Sequence, residues 1–216
     1  MQNNNSTEHD QAAAAAALVR QQLRQRAVQA RETLDLGTRQ RLQAEIDRHL
    51  QILLEQLAPQ QLGFCWPYRA EPDVRELVAR WLMADPADPA DPQRQAALPV
   101  VEDRQRALKF RQWTPETVLR AGAYGIPEPV GTAVLQPQVL LIPLNAFDAA
   151  GYRLGYGGGY FDRTLAELPV QAVGVGFELG RVDSCLPQAH DRPMDWIVTE
   201  AGCWPAGDTQ LARNSR

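Results

Sequence analysis

The segment QVLLIPLNAF, residues 138–147, contains a six-residue apolar run, VLLIPL, with no polar residue to mark a solvent face. Such a strand must be covered on both sides, which is the condition of a central strand in a parallel sheet wrapped by helices. Just downstream the chain changes character: five of the nine residues from Gly151 to Gly159 are glycine. Glycine weakens regular elements, so a cluster marks a place where the main chain bends sharply or approaches something closely. A phosphate suits that place. Successive glycine N–H groups form a concave nest, and a helix expected at YFDRTL offers its positive N-terminal end to the same anion. The alternative is a turn that only permits tight packing.

The rest of the chain alternates helix and strand patterns. In QAAAAAALVRQQLRQRAVQARETL, Val19, Leu23, Ala27, Ala30 and Leu34 recur at helical spacing. After a break at residues 35–38, a second helix sets Leu42, Ile46, Leu50, Leu53 and Leu57 on one face and stops near Pro59. LGFCWPY reads as a buried strand, and EPDVRELVARWLM as a helix with Pro72 near its first turn and Asp73 in its acidic start. ALPVV and ALKFRQW read as strands, YGIPEP as a proline-stiffened turn and YFDRTLAEL as a short helix. VQAVGVGFE is a strand, PQAHDRPMD a loop and DWIVTE the last strand. Three Asp-Pro repeats disfavour helix before each proline, so residues 85–97 are expected as a surface loop without an assigned role. The expected architecture is a single Rossmann-like three-layer α/β domain over residues 12–204, with a mostly parallel sheet flanked by helices. A disordered tail (1–11) and a flexible tail (205–216) bracket it, and a ligand crevice is expected at the strands' carboxyl ends.

Composition narrows the partners. A net charge of −4 over 216 residues argues against gripping nucleic acid by bulk electrostatics and leaves room for a local basic pocket. Cys65, Cys185 and Cys203 are far apart and form no CxxC pair, which suggests reduced thiols in a cytoplasmic protein. The N-terminal apolar run lacks a basic leader, and no stretch approaches the roughly 18 apolar residues of a membrane span. A monomer acting on small molecules is the expectation.

Familiar phosphate loops fail on spacing. A Walker loop needs Gly-Lys followed by Ser or Thr, and the glycine segment has no lysine. A GxGxxG fingerprint starting at Gly155 would put glycine at 160, where Tyr160 stands, and the cluster lies too far beyond its strand. The companion elements of a kinase loop are missing as well.

PLNAFDAAGYRLGYGGGYFDRTL closely resembles the signature of the 5-formyltetrahydrofolate cyclo-ligase, or methenyltetrahydrofolate synthetase, family. YRAEPDV, GIPEP and HDRPMD extend the resemblance from about Leu18 to Glu200. It implies an enzyme that uses ATP and Mg²⁺ to convert 5-formyltetrahydrofolate to 5,10-methenyltetrahydrofolate, releasing ADP and phosphate. A non-catalytic folate- or nucleotide-binding relative, and a phosphosugar enzyme on a similar sheet, stay open as alternatives.

The resemblance also implies site residues, each with a plainer alternative. Arg20 and Arg24, four apart on one helix face, would hold nucleotide phosphates; without the family they read as a solvated charged face. Arg20 stands where the family usually has lysine. Arg153, Leu154, Gly155, Tyr156, Gly157, Gly158, Gly159, Tyr160 and Phe161 would embrace ATP, with Tyr156 to Tyr160 also bordering the folate. Tyr156 and Gly158 are neutral where some members carry basic residues, and Phe161 replaces a second tyrosine. Trp66 would stack on the folate and Glu71 would bind it; otherwise they read as a core aromatic and a helix-start acid. Asp162 and Asp191 would ligate Mg²⁺, and the alternative for Asp162 is helix-dipole compensation. His190 reads as structural, because magnesium prefers oxygen. No catalytic acid or base is assigned.

Overall fold

The computed structural model describes residues 3–83 and 93–207. Helices α1 (Asn3–Glu32) and α2 (Leu36–Leu57) open the chain, followed by β1 (Gln61–Gly63), α3 (Arg75–Met83), β2 (Gln95–Val100) and β3 (Lys109–Trp113). A ribbon of β4 (Leu119–Ala121) and β5 (Pro127–Pro129) leads to β6 (Val134–Leu135) and β7 (Val139–Pro143). Then come a hairpin of β8 (Ala146–Phe147) and β9 (Arg153–Leu154), helix α4 (Tyr160–Glu167), β10 (Gln171–Val175), β11 (Trp196–Thr199) and β12 (Gly202–Pro205). The proposed Asp-Pro loop lies outside the described residues as far as residue 92, and Gln95 to Ala97 already belong to β2.

Eight strands form one sheet in the order β12-β11-β10-β7-β1-β2-β3-β6. The pairs from β11 through β2 are parallel, and antiparallel pairs close both edges. This is the mostly parallel α/β sheet expected, and β7 runs parallel to a neighbour on each side, as its apolar run requires. Its side chains alternate between the faces. Val139 and Leu141 pack with Ile46, Leu50 and Leu53 of α2 and Leu77 and Val78 of α3. Leu140 and Ile142 face the opposite layer, with Phe161 and Leu165 of α4. Full burial of each such side chain contributes about 1.5–3 kcal/mol, so this strand anchors both faces of the sheet.

Several local expectations need correction. Helix α3 begins at Arg75, not near Pro72; Asp73 stands ahead of it and accepts from the Arg75 amide (3.1 Å). DWIVTE is not the last strand: β12 follows it, antiparallel. The turn expected over YGIPEP is confined to its start, where the 3-10 turn Ala123–Gly125 overlaps Tyr124 and Gly125, and the following prolines belong to β5. The apolar stripe expected on α1 is met only in part, by Ala27 and by Leu23 packed beside it. Val19 and Ala30 are exposed and the helix ends before Leu34, whereas Arg20, Ala27, Val28 and Arg31 are buried. Two arginines on the buried face of a helix need buried acceptors, which the site supplies.

Candidate active site

A cleft of about 500 Å³ opens at the carboxyl ends of β1, β2 and β7, where Cys65, Pro99 and Pro143 line it. This is where ligands bind in open α/β sheets, and the volume suits a small molecule. Other parts of the wall come from α1, the Trp66–Glu71 turn after β1, the β4–β5 ribbon, the loop from Gly155 to Asp162 and the Gln188–Asp191 segment.

The glycine loop follows the β8–β9 hairpin, which brings the chain back from β7 before the loop begins. Its glycines have different reasons to be there. Gly157 and Gly159 hold φ of +93° and +66°, which a side chain tolerates poorly, and a Cβ on Gly158 would lie 2.7 Å from the Tyr160 ring. A Cβ on Gly155 would meet nothing within 4 Å, and its φ is ordinary. Tight packing therefore does not account for Gly155. Among the described residues the amides of Gly155 to Gly159 have no protein acceptor, and no side chain caps α4, whose N-cap is Gly159. The result is an open row of N–H groups beside a helix N-terminus, a ready anion site.

Opposite stands α1. Arg20 is buried and pairs with Asp191, its Nη1 donating to Oδ2 at 2.5 Å and Nη2 to Oδ1 at 3.2 Å. Arg24, one turn on, lines the cleft with its Nε buried and without a hydrogen-bond partner among the described residues. Burial, and then the charge of Arg20, hold the Arg24 guanidinium below its usual pKa. Arg153 leaves β9 into the site, donates to the Arg192 carbonyl (3.0 Å) and pairs with Asp162 (3.3 Å). Burial lowers its pKa, with Asp162 opposing. Its guanidinium lies 5.7 Å from the centre of the Phe161 ring, a contact that needs no hydroxyl at that position.

The two candidate metal ligands are not equivalent. Both oxygens of Asp191 are engaged, Oδ2 also accepting from the Gln188 amide at 2.8 Å. Burial disfavours its ionisation, but the Arg20 hydrogen bond and that amide together hold its carboxyl below the usual range. Asp162 uses Oδ1 for Arg153 and for the Arg192 amide (3.2 Å), which leaves Oδ2 without a protein donor among the described residues. Among those residues no three His, Cys, Asp or Glu side chains cluster as a metal cage. Of the two carboxylates, Asp162 is the one that keeps an oxygen without a protein donor among the described residues.

The remaining wall carries an indole ring and a buried carboxylate. Trp66 lines the cleft with the Arg75 guanidinium 4.3 Å from its ring centre, so one indole face is already occupied. The Glu71 side chain is 3% exposed; it accepts from the Tyr68 amide (3.0 Å) and the Tyr156 hydroxyl (3.1 Å), and Arg31 stands 3.5 Å away. Burial pushes its carboxyl above the usual range, against the pull of Arg31 and those two donors. Tyr160 is stacked on Arg163 (5.1 Å) with its hydroxyl 3.4 Å from that of Tyr124. Of the site residues expected from sequence, Leu154 alone does not line the cleft: its side chain is fully buried with Ala27, Ala146 and Cys185. His190 does line it, 71% exposed and 3.7 Å from Asp191.

Sequence reasoning missed Arg31, Tyr68, Tyr124 and Glu128. Glu128 is buried at the cleft and held by Arg120 at 2.8 Å. Arg31 had a signal: it lies seven residues after Arg24, hence on the same helix face. Following apolar residues along α1 hid it.

Comparisons with known proteins identify the relatives of the chain. The family model described as the 5-formyltetrahydrofolate cyclo-ligase family matches residues 16–200. The chain is 27% identical over 185 residues to a 5-formyltetrahydrofolate cyclo-ligase of Haemophilus influenzae, covering 81% of this chain and 94% of that one. It is 39% identical to the Escherichia coli K12 protein of the same name over 69 residues, 31% of this chain and 38% of the other. The solved 5,10-methenyltetrahydrofolate synthetase of Aquifex aeolicus superposes with a TM-score of 0.75 at 27% identity, covering 88% of this chain and 94% of that one. That of Mycoplasma pneumoniae shares the fold, with a TM-score of 0.65 at 23% identity over 84% and 98% of the two chains. The match spans α1, the glycine loop and the Asp191 segment alike, and the chain belongs to the 5-formyltetrahydrofolate cyclo-ligase family.

Proposed function

We propose that the cleft binds ATP and 5-formyltetrahydrofolate side by side and closes the folate's five-membered ring, giving 5,10-methenyltetrahydrofolate, ADP and phosphate. The observation that carries this reading is the sharing of one cleft by an uncapped glycine loop and an arginine whose buried Nε has no hydrogen-bond partner among the described residues on one side, and by a tryptophan face and a buried carboxylate on the other. The formyl oxygen attacks the γ-phosphorus and ADP departs. N10 then adds to the activated formyl carbon and gives up its proton, and the C–O bond breaks with its electron pair leaving on phosphate. Phosphorylation turns a poor leaving group into a good one, so the protein mainly positions reactants and offsets charge.

The glycine-loop amides, Arg24 and Arg153 take the phosphates in this reading, with Arg20 beside them once it is shared with Asp191. Trp66 and Glu71 orient the folate, and Tyr156 and Tyr160 border it where the two ligands meet. Mg²⁺, held by Asp162 and secondarily by Asp191, would neutralise phosphate charge. Arg24→Ala is expected to raise KM for ATP by about 10- to 100-fold, the loss of a hydrogen bond to a charged group. Stability should be unchanged, because the Arg24 Nε has no hydrogen-bond partner to lose among the described residues; a normal ATP dependence would remove Arg24 from phosphate binding.

The test of the reading is the absorbance of the conjugated methenyl product, followed with purified protein, ATP, Mg²⁺ and 5-formyltetrahydrofolate. Signal that requires nucleotide supports it. No gain, alongside an active family member in the same plate, rejects it, and binding of both ligands without turnover would point to a non-catalytic relative.

A further inference from the structure

We infer that Arg31 is the positioning residue of the folate side of the cleft, fixing the Glu71 carboxylate and the Tyr156 hydroxyl in one arrangement. The inference rests on the proposed reading that those two groups face the folate.

The Arg31 side chain is 2% exposed, and its donors are distributed over three segments that are distant in sequence. Nε donates to the Arg69 carbonyl at 2.8 Å and Nη2 reaches the Tyr68 carbonyl at 3.4 Å, both in the turn after β1. Nη1 donates to Asn145 Oδ1 at 2.7 Å and lies 3.4 Å from the Leu144 carbonyl, at the junction of β7 and β8. Nη2 also donates to the Tyr156 hydroxyl at 2.5 Å, and that hydroxyl donates onward to Glu71 Oε1 at 3.1 Å. One guanidinium thus ties the folate turn to the glycine loop. A lysine ammonium cannot reproduce this, because three rotatable donors on a point charge do not match a planar fork.

The turn needs holding. Arg69 and Ala70 are consecutive non-glycine residues at φ of +49° and +58°, a conformation of about 1 kcal/mol or more each. Two of the three backbone carbonyls that Arg31 engages, those of Tyr68 and Arg69, belong to that turn. Glu71 follows directly and is buried, so losing Arg31 removes the cation beside an inward-facing carboxylate and frees the backbone that aims it. A second clamp, Glu32 to Arg69 at 2.8 Å, lies on the exposed side and touches neither Glu71 nor Tyr156, which makes it a control.

The experiment measures kcat, KM for 5-formyltetrahydrofolate, KM for ATP and the melting temperature for Arg31→Lys, Arg31→Met, Glu71→Gln, Arg31→Met with Glu71→Gln, and Glu32→Ala. Arg31→Lys is expected to raise the folate KM at least about 10-fold while the ATP KM stays within about threefold, a split that general destabilisation does not produce. Combining Arg31→Met with Glu71→Gln should be no worse than the poorer single variant, since the amide removes the stranded charge. Glu32→Ala should keep the wild-type folate KM. Arg31→Lys and Arg31→Met with wild-type folate KM, or with both KM values raised together as the melting temperature falls, would overturn the inference. A wild type that forms no methenyl product would sink the functional reading and this inference together, whereas turnover that ignores Arg31 sinks this one alone.

Discussion

Replacing Gly155 with valine is expected to lower kcat/KM for ATP by about 100-fold while the protein melts no lower than the wild type. The two halves of this result have separate physical origins. A side chain at position 155 meets nothing within 4 Å and needs no positive φ, so the folded protein accepts it. Removing a glycine also restricts the unfolded chain, which favours the native state by about 0.4–1 kcal/mol in comparable alanine substitutions. Gly155 lines the cleft, so a side chain there adds bulk to the cleft wall. If phosphate lies against that backbone, even about 1 Å of displacement takes the reacting atoms out of line. Gly157 is a poorer probe, since its φ of +93° adds strain to any steric effect. Thermal melts combined with steady-state kinetics at varied ATP decide the matter. A valine variant with wild-type ATP kinetics would show that nothing approaches Gly155.

Asp162→Asn is the second large effect, with an expected fall in kcat of about 10²- to 10³-fold at saturating Mg²⁺, the scale of removing one preorganised electrostatic group. Asparagine keeps an oxygen to accept from Arg153 and from the Arg192 amide, so the loop geometry is retained and only the charge is lost. Arg153 is buried and would lose the partner of its ion pair, so a drop in stability of about 1–2 kcal/mol should accompany the kinetic loss. That leaves a folded protein whose urea midpoint can be compared with its activity. If Asp162 holds the metal, the Mg²⁺ concentration needed for half-maximal rate also rises. A kcat within about threefold of wild type, at unchanged Mg²⁺ demand, would leave Asp162 as a partner of Arg153 and no more.

Much of this arrangement was legible in the chain, unevenly. The α2 stripe was read correctly: Ile46, Leu50 and Leu53 are buried, and Leu42 and Leu57 pack at its margin. Twenty-two residues of regular spacing leave little ambiguity. The β8–β9 hairpin was invisible because each strand has two residues, too few to show a period, although it is what delivers the glycine loop to the cleft. On α1 the polar residues carried the information. Arg20 and Arg24 were singled out through the family resemblance, while Arg31, the most buried of the three, looked like one more charge near a helix end.

The apolar run at β7 and the glycines at 157 and 159 determined their own surroundings, a strand covered on both faces and a backbone bend that side chains resist. Burial and φ preference act within a few residues, so they can be read from neighbours in the chain. Which charges would meet was settled only by folding, as Arg31 finds Asn145 and Tyr156 at 114 and 125 residues' separation and Arg20 finds Asp191 at 171. A guanidinium can be buried only where enough acceptors converge on it, and convergence from several distant segments is a property of the assembled sheet and not of any stretch of sequence.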